Sequence, residues 1–423
     1  MPKRPSLPRM YWVLWSCLLL NRAGGFVVII LALYLTTQRG QTESMAGLIV
    51  GLFGVGGAGG VLLGGMLADR FGRKSTMLIS ASVAAVALAA LTFVTPLIVI
   101  GVIVAVFGFA MAMFSPPAIA AMADVVPPED RDYAFNLMFW ATNVGMGVAT
   151  LAAGFLAKVS YELLFILNAA AEAIVAVVIV VAVRETLVRT PVVPESSTTP
   201  VARPGRFADV WRDRIYLTFV GLLLLQAIVF TQTQSTLPLA MTADGMSESD
   251  YGIALAIGSG MIILGQLLVP RLTNRFVKAT VLAVSLAFMA VGFGAVGLVD
   301  SFGGYVVCVV VWTIGGMLGA PPNATVIADL SPAGMRGRYQ SVFNLTFTLA
   351  AFIAPAIGGF TLQYLGDWHW LIIGCIAATA TVGHLLSGPA RERSTVERAR
   401  AASIHINDTV AIKRPVPQLT ASE

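Results

Sequence analysis

Long apolar runs, separated by short polar stretches, repeat from one end of the chain to the other. A bilayer core takes about 20 apolar residues of helix to cross. On that measure the runs predict twelve membrane-spanning helices, at 11–36, 46–68, 75–94, 97–122, 134–157, 163–183, 215–238, 250–272, 279–299, 304–328, 340–364 and 369–388. The stretch between the sixth and seventh is of another kind. It contains "TPVVPESSTTPVARPG", rich in Pro, Ser and Thr, and reads as a flexible linker. The pattern therefore divides the chain into a six-helix bundle at 1–183, a linker at 184–213, a second six-helix bundle at 214–388 and a tail at 389–423. The tail opens on the charged run "ARERSTVERARAA", which reads as a surface helix, and its end as disorder.

Composition removes the alternative of a soluble protein. Of 423 residues, 57% are hydrophobic and only 12% charged, against about 25% charged in an average soluble domain. The mean hydropathy is +0.82. The three cysteines, Cys17, Cys308 and Cys375, all lie inside apolar runs, with neither a disulfide framework nor zinc spacing. The net charge of +5 would suit nucleic acid, but the placement of the bases argues for membrane topology and against a nucleic-acid partner. With the N-terminus set in the cytoplasm, 24 of the 27 Lys and Arg residues fall in cytoplasmic segments. Arg39 and Lys158 are the two in outer loops, and Arg22 lies inside the first span. The expectation is a multi-pass protein of the plasma (inner) membrane with both termini cytoplasmic. The basic start followed by an apolar run resembles a signal peptide, but the run is too long and lacks a clear cleavage site, so it reads as a first span.

The two bundles repeat. A shift of 205 residues places Glu43 and Ser44 on Glu248 and Ser249, Arg70 and Phe71 on Arg275 and Phe276, and Pro116 and Pro117 on Pro321 and Pro322. The same shift places Asp124 on Asp329 and Arg131 on Arg336. Parallel repeats imply a pseudo-two-fold axis along the membrane normal, with a binding site between the halves near mid-membrane.

Between the second and third spans stands "GMLADRFGRK": Gly65, Asp69, Arg70, Gly72, Arg73 and Lys74. With twelve spans and a central linker, the chain resembles the major facilitator superfamily over essentially its whole length. The stretch is similar to that family's signature in the loop between helices 2 and 3. On the residues alone, Gly65 lets another helix approach, Gly72 permits a tight turn, and Asp69 can face a helix N-terminus. The resemblance implies that this N-terminus belongs to helix 11 and that Arg73 pairs with Asp124, so that the stretch acts as a gate latch. The alternative is that it is only a topology determinant. The second-half copy, "RLTNRFVK", lacks the acid and the glycine and predicts a weaker latch. The helix ends "DVVPPEDR" and "DLSPAGMR" each carry an acid, a helix-ending proline and an arginine able to return to the acid: Asp124 with Arg131, Asp329 with Arg336. Both read as cytoplasmic gate elements.

Two formal charges fall deep in the apolar runs: Arg22 in "LLLNRAGGF" and Glu172 in "NAAAEAIVA". Intramembrane charges are costly, which makes both functional candidates. The resemblance implies that helix 1 lines the cavity, making Asn21 and Arg22 the leading site residues. Arg22 binds an anionic group, senses protonation of a partner, or is a structural arginine. Glu172 is its acid partner, a proton carrier, or a lipid-facing group, since the resemblance implies that helix 6 is peripheral. Polar stripes comprise Asn136, Trp140 and Asn143 in the fifth span, Gln226, Thr233 and Gln232 in the seventh, and Asn344 and Thr348 in the eleventh. They line a wet cavity or join helices.

Drug and proton antiporters of this superfamily usually carry an arginine in the middle of helix 4 and a G-x-x-x-G-P-x-x-G-G pattern in helix 5. Neither is present, although "APAIGG" stands in the eleventh span. Arg22 is the candidate to replace the missing arginine. The expected function is secondary transport by alternating access, through proton-coupled efflux of small amphipathic molecules or drugs. The alternatives are uptake of a small polar or anionic solute by a symporter or uniporter, and a sensor or scaffold without transport. No nucleophile–base pair, metal cluster or phosphate loop points to an enzyme. No cofactor is expected, with a proton gradient as the energy source. The chain is expected to work as a monomer with a small-molecule substrate.

Overall fold

The computed structural model describes residues 7–187, 207–265, 268–273, 275–332 and 335–412. These residues are helical almost throughout. The first half comprises α1 (Arg9–Ala23), α2 (Val27–Thr37), α3 (Glu43–Phe71), α4 (Arg73–Phe93), α5 (Leu97–Val125), α6 (Arg131–Ala157) and α7 (Tyr161–Ala182). A short α8 (Phe207–Arg212) leads into α9 (Arg214–Ser235), α10 (Leu237–Ala243), α11 (Glu248–Gly265) and α12 (Val269–Thr273). The chain continues in α13 (Lys278–Gly294), α14 (Phe302–Leu330), α15 (Arg336–Leu365) and α16 (Trp368–Ile412). Of the predicted linker, residues 188–206 lie outside the described residues, as do 413–423 of the tail.

Eleven stretches among the described residues are long and apolar enough to cross a membrane. The eighth predicted crossing falls on α11 and α12, which carry two acids at its start and are described as separate pieces. Two further expectations need adjusting. The first span is broken at Gly24–Phe26 into α1 and α2. Two adjacent glycines weaken the helix there, and the freed Val27 N–H is taken by the Asn168 side-chain oxygen at 3.3 Å. The charged opening of the tail is not a separate surface helix: it continues the last span within α16.

Hydrogen bonds repeat at the 205-residue spacing. Tyr11 donates to the Ala134 carbonyl at 2.8 Å and Tyr216 to that of Tyr339 at 2.5 Å. Ser80 donates to the Ala110 carbonyl at 2.7 Å and Ser285 to that of Gly315 at 2.6 Å. Each joins helices within one half.

α3 is bare on two faces. A side chain at Gly56 would bring its Cβ within 1.8 Å of the Ala105 carbonyl oxygen, and one at Gly60 within 2.1 Å of that of Phe109, both on α5. On the other face, Gly47 and Gly54 would meet α15, at 2.1 Å from the Pro355 oxygen and 2.5 Å from the Ala351 carbonyl carbon. Small residues of this kind let backbones approach where lipid gives helices no hydrophobic reason to associate.

The contact between halves is one-sided. Away from the linker, α3 meets α15, and Gly154 of α6 meets Gly252 of α11 with a built Cβ at 2.9 Å from the Gly252 Cα. Toward the linker, a side chain at Gly57 would still meet Thr348 of α15 at 3.8 Å, whereas one at Gly65 would have nothing within 4 Å. The halves are therefore closed on the face opposite the linker and parted on the linker face.

Candidate functional site

The break in the first span organises a polar cluster between α1, α5 and α7. Gly24 lets α1 approach α7 closely: a Cβ there would lie 2.8 Å from that of Ala171. One residue further along α7, Glu172 is fully buried and accepts a hydrogen bond from Asn21 Nδ2 at 2.8 Å. Glu172 thus turns inward onto α1 and away from lipid. Arg22 packs against α6, where a side chain at Gly145 would meet its Cβ at 2.6 Å. Its Nη2 donates to Ser115 Oγ at 3.0 Å, beside the Pro116–Pro117 pair in α5. Arg22 and Glu172 do not form an ion pair within 4.0 Å. Instead Arg22 Nε, Glu172 Oε2 and Asn168 Nδ2 are each buried without a partner. Two donors and one acceptor left open in one cluster form a site ready for a proton, a water or a ligand group. Asn168 and Ser115 were not among the residues singled out from sequence. Asn168 lies four residues before Glu172, one helical turn, and was detectable on that spacing. Ser115 carries no comparable signal.

The polar stripes divide. Asn136 and Trp140 are exposed on α6. Gln226 accepts from Asn323 of α14 at 3.2 Å. Three others do not reach the cluster, two bonding within their own helix and one across to another. Asn143 donates to the Phe139 carbonyl of its own helix at 2.8 Å. Asn344 accepts from Gln340, one turn earlier, at 3.3 Å. Gln232 is buried and joins helices: its amide donates to the Ala354 carbonyl at 3.3 Å and its oxygen accepts from Thr236 at 2.8 Å. His369 extends that network, with Nε2 at 3.2 Å from Thr236 Oγ1 and Nδ1 at 2.6 Å from Thr361 Oγ1.

On the linker face the signature stretch clasps its own half. Arg73 lies 2.8 Å from Asp69 and 3.5 Å from Asp124. Asp69, expected at the N-terminus of helix 11, instead has a side chain 78% exposed. The parted linker face removes that partner, and it likewise leaves Gly65 in open space. Gly72 has φ +105°, a conformation that favours glycine, and a Cβ there would strike Glu185 at 2.2 Å. Lys74 Nζ reaches the Val180 carbonyl at 2.9 Å, and Arg70 lies over the Phe71 ring at 5.4 Å. Arg131 turns to the Val126 carbonyl at 3.4 Å, not to Asp124, which is taken by Arg73 and by Thr186 at 3.0 Å. The second-half copy keeps one ion pair, Lys278 with Asp329 at 2.7 Å. An ion pair requires the base and the acid but neither the missing glycine nor the missing acid of the stretch. The Arg336 side chain lies outside the described residues.

Glu185, just after α7, completes the clasp by capping α4, accepting the N–H groups of Arg73 at 2.8 Å and Lys74 at 3.1 Å. Burial pushes its pKa up, but the N–H donors of Leu187, Arg73, Lys74 and Thr186 outweigh it and hold the carboxyl below its ordinary value. A lowered folded pKa gives stability that is complete above the unfolded value of about 4.3 and is lost as pH falls through the folded one. Glu185→Gln is expected to cost about 1 kcal/mol at pH 7, as loss of a helix cap does. Thermal unfolding of both forms should show the gap closing below about pH 4.

The family model for the Major Facilitator Superfamily matches residues 14–318 and 228–419. The chain is 24% identical over 387 residues to a Na(+), Li(+), K(+)/H(+) antiporter of Planococcus maritimus, covering 85% of this chain and 90% of that one. It is 25% identical over 375 residues to the multidrug resistance protein MdtH of Escherichia coli O9:H4 (strain HS), covering 84% and 88%. Among solved structures, a POT family transporter in complex with 5-aminolevulinic acid superposes with a TM-score of 0.77 at 14% identity, over 91% of this chain and 97% of that one. The match runs through both halves and includes the helices that carry the buried cluster and the clasp. This chain is a multi-pass membrane transporter of the Major Facilitator Superfamily.

Proposed function

We propose that the protein exports small amphipathic molecules across the plasma membrane in exchange for protons, by alternating access. The observation that carries this reading is Glu172, a fully buried carboxyl with one oxygen on Asn21 and the other unpartnered. A buried acid with an open oxygen can bind and release a proton, and its change of charge alters the pull on Arg22 across the cluster. Arg22 sits at the break in the first span, so that pull acts where α1 can bend relative to α2. The bias of Lys and Arg supports placing the linker face in the cytoplasm. The parted face then opens the cavity inward, the side from which an exported molecule enters. The likeness to a multidrug resistance protein and to a proton antiporter supports export and exchange.

A second reading is uptake of a small anion held by Arg22, favoured by its unpartnered Nε. One experiment separates the two. Purified protein in liposomes with an imposed pH gradient and an internal pH dye is offered amphipathic cations, neutral amphipaths and small anions in turn. Amphipaths are expected to drive proton movement against their own direction. Proton movement with anions alone, in the same direction, would establish the second reading. Binding without any proton movement would remove proton exchange and proton symport, and would point to a uniporter, another coupling ion or a sensor.

A further inference from the structure

On the face opposite the linker, the seam holds a cavity of about 340 Å³ that opens to the surface. Both halves build it: Thr36 and Thr37 of α2 and Thr42 and Glu43 at the start of α3, against Thr242 of α10 and Gln363 of α15. The seam is tight beside it. Ser44 N–H donates to Gln363 Oε1 at 3.0 Å, and a side chain at Gly359 would meet the Glu43 carbonyl oxygen at 2.3 Å.

Beside the Gln363 amide and the Thr42 hydroxyl, what the cavity offers a guest is oxygen. Thr36 and Thr37 donate their hydroxyl hydrogens to the Leu33 carbonyl at 3.1 and 2.7 Å, and Thr242 donates to that of Pro238 at 2.9 Å. With those hydrogens engaged, lone pairs are what remain. Glu43 adds a charge. Its Oε2 is buried without a partner, and it joins none of the ion pairs among the described residues. Arg39, four residues earlier, is directed elsewhere, to the Tyr34 hydroxyl at 2.7 Å and the Val94 carbonyl at 3.2 Å. The residue at the repeat position, Glu248, is not left open in this way: Tyr161 donates to it at 3.4 Å. A carboxylate oxygen withdrawn from water needs a donor or a cation.

We propose that this cavity binds a small organic ammonium ion. Its N–H groups would meet Glu43 and the threonine oxygens, and its alkyl part would lie on Leu33 and Leu239, which also line the space. A bare alkali ion fills far less volume and gains nothing from two leucines. Because each half supplies part of the site, the ligand favours the state in which this face is closed. The site lies apart from the Glu172 cluster and does not depend on proton coupling.

The test is calorimetric titration of the full chain in lipid nanodiscs, with no gradient, using n-butylammonium chloride. The controls are n-butanol and sodium and potassium chloride at matched ionic strength. Saturable binding of butylammonium is expected, weakened about tenfold or more by Glu43→Gln and several-fold by Thr242→Val, which preserves the charge. Glu172→Gln should retain it. Unchanged affinity in both cavity variants, equal binding of butanol, or displacement by sodium at matched ionic strength would each overturn the proposal. So would loss in Glu172→Gln with retention in Glu43→Gln, which would move the amine to the central cluster. Thermal unfolding without ligand checks that the variants fold as the parent does.

Discussion

Glu172→Gln is expected to reduce proton movement driven by an amphipathic substrate to below about a tenth of the parent value, while leaving substrate binding measurable. The amide keeps the shape and can still accept from Asn21, which donates at 2.8 Å. What it loses is the ability to change charge next to Arg22. Glu172→Ala should do more damage to the fold, because it strands a buried donor on Asn21 at a cost of about 1–3 kcal/mol. Arg22→Lys is expected to fall between these: it retains the charge but not the planar fork that reaches Ser115 at 3.0 Å. The measurement is the pH-dye assay in liposomes, with binding followed separately by calorimetry. Coupled flux in Glu172→Gln equal to that of the parent would refute the carboxyl's role in proton coupling.

Gly47→Val is expected to drive the two halves apart on the face opposite the linker. The new Cβ would lie 2.1 Å from the Pro355 carbonyl oxygen and 3.1 Å from the Gly359 Cα, both backbone atoms that cannot rotate away. Overpacking costs about 1–3 kcal/mol, and every 1.4 kcal/mol shifts a two-state population about tenfold. Spin labels on Met45→Cys and Tyr364→Cys, which flank this seam on α3 and α15, should report a longer distance in Gly47→Val. Gly65→Val makes the opposite comparison. It has open space in this state, with nothing within 4 Å, and should leave the same distance unchanged or more sharply populated. A distance distribution identical in Gly47→Val and the parent would show that this seam does not hold the face closed.

Much of the fold was legible because bilayer thickness sets helix length and the 205-residue repeat sets topology. The Arg73–Asp124 contact, at 3.5 Å, was legible from the resemblance of the signature stretch. The interior of the site was harder to read for identifiable reasons. Which way Glu172 faces depends on the close approach of Gly24 to Ala171, a contact between residues far apart in the chain. Spacing shows that Asn143, Gln232 and Asn344 are polar, but not that the first donates within its own helix and the second across to α15. Gly65 and Asp69 illustrate a different limit: their spacing does not show that Gly65 stands in open space or that Asp69 pairs with Arg73 inside its own half.

The two bare faces of α3 also bear on how fast the molecule can work. Where long side chains interdigitate, parting two helices requires each to leave its rotamer well and cross a barrier of its own. The α3–α15 seam at Gly47 and Gly54 is backbone against backbone, with the Phe352 ring packed on Gly51 between them. Its strength is spread over many weak contacts that loosen together. Such a seam can be stable and still offer little friction when the two helices part.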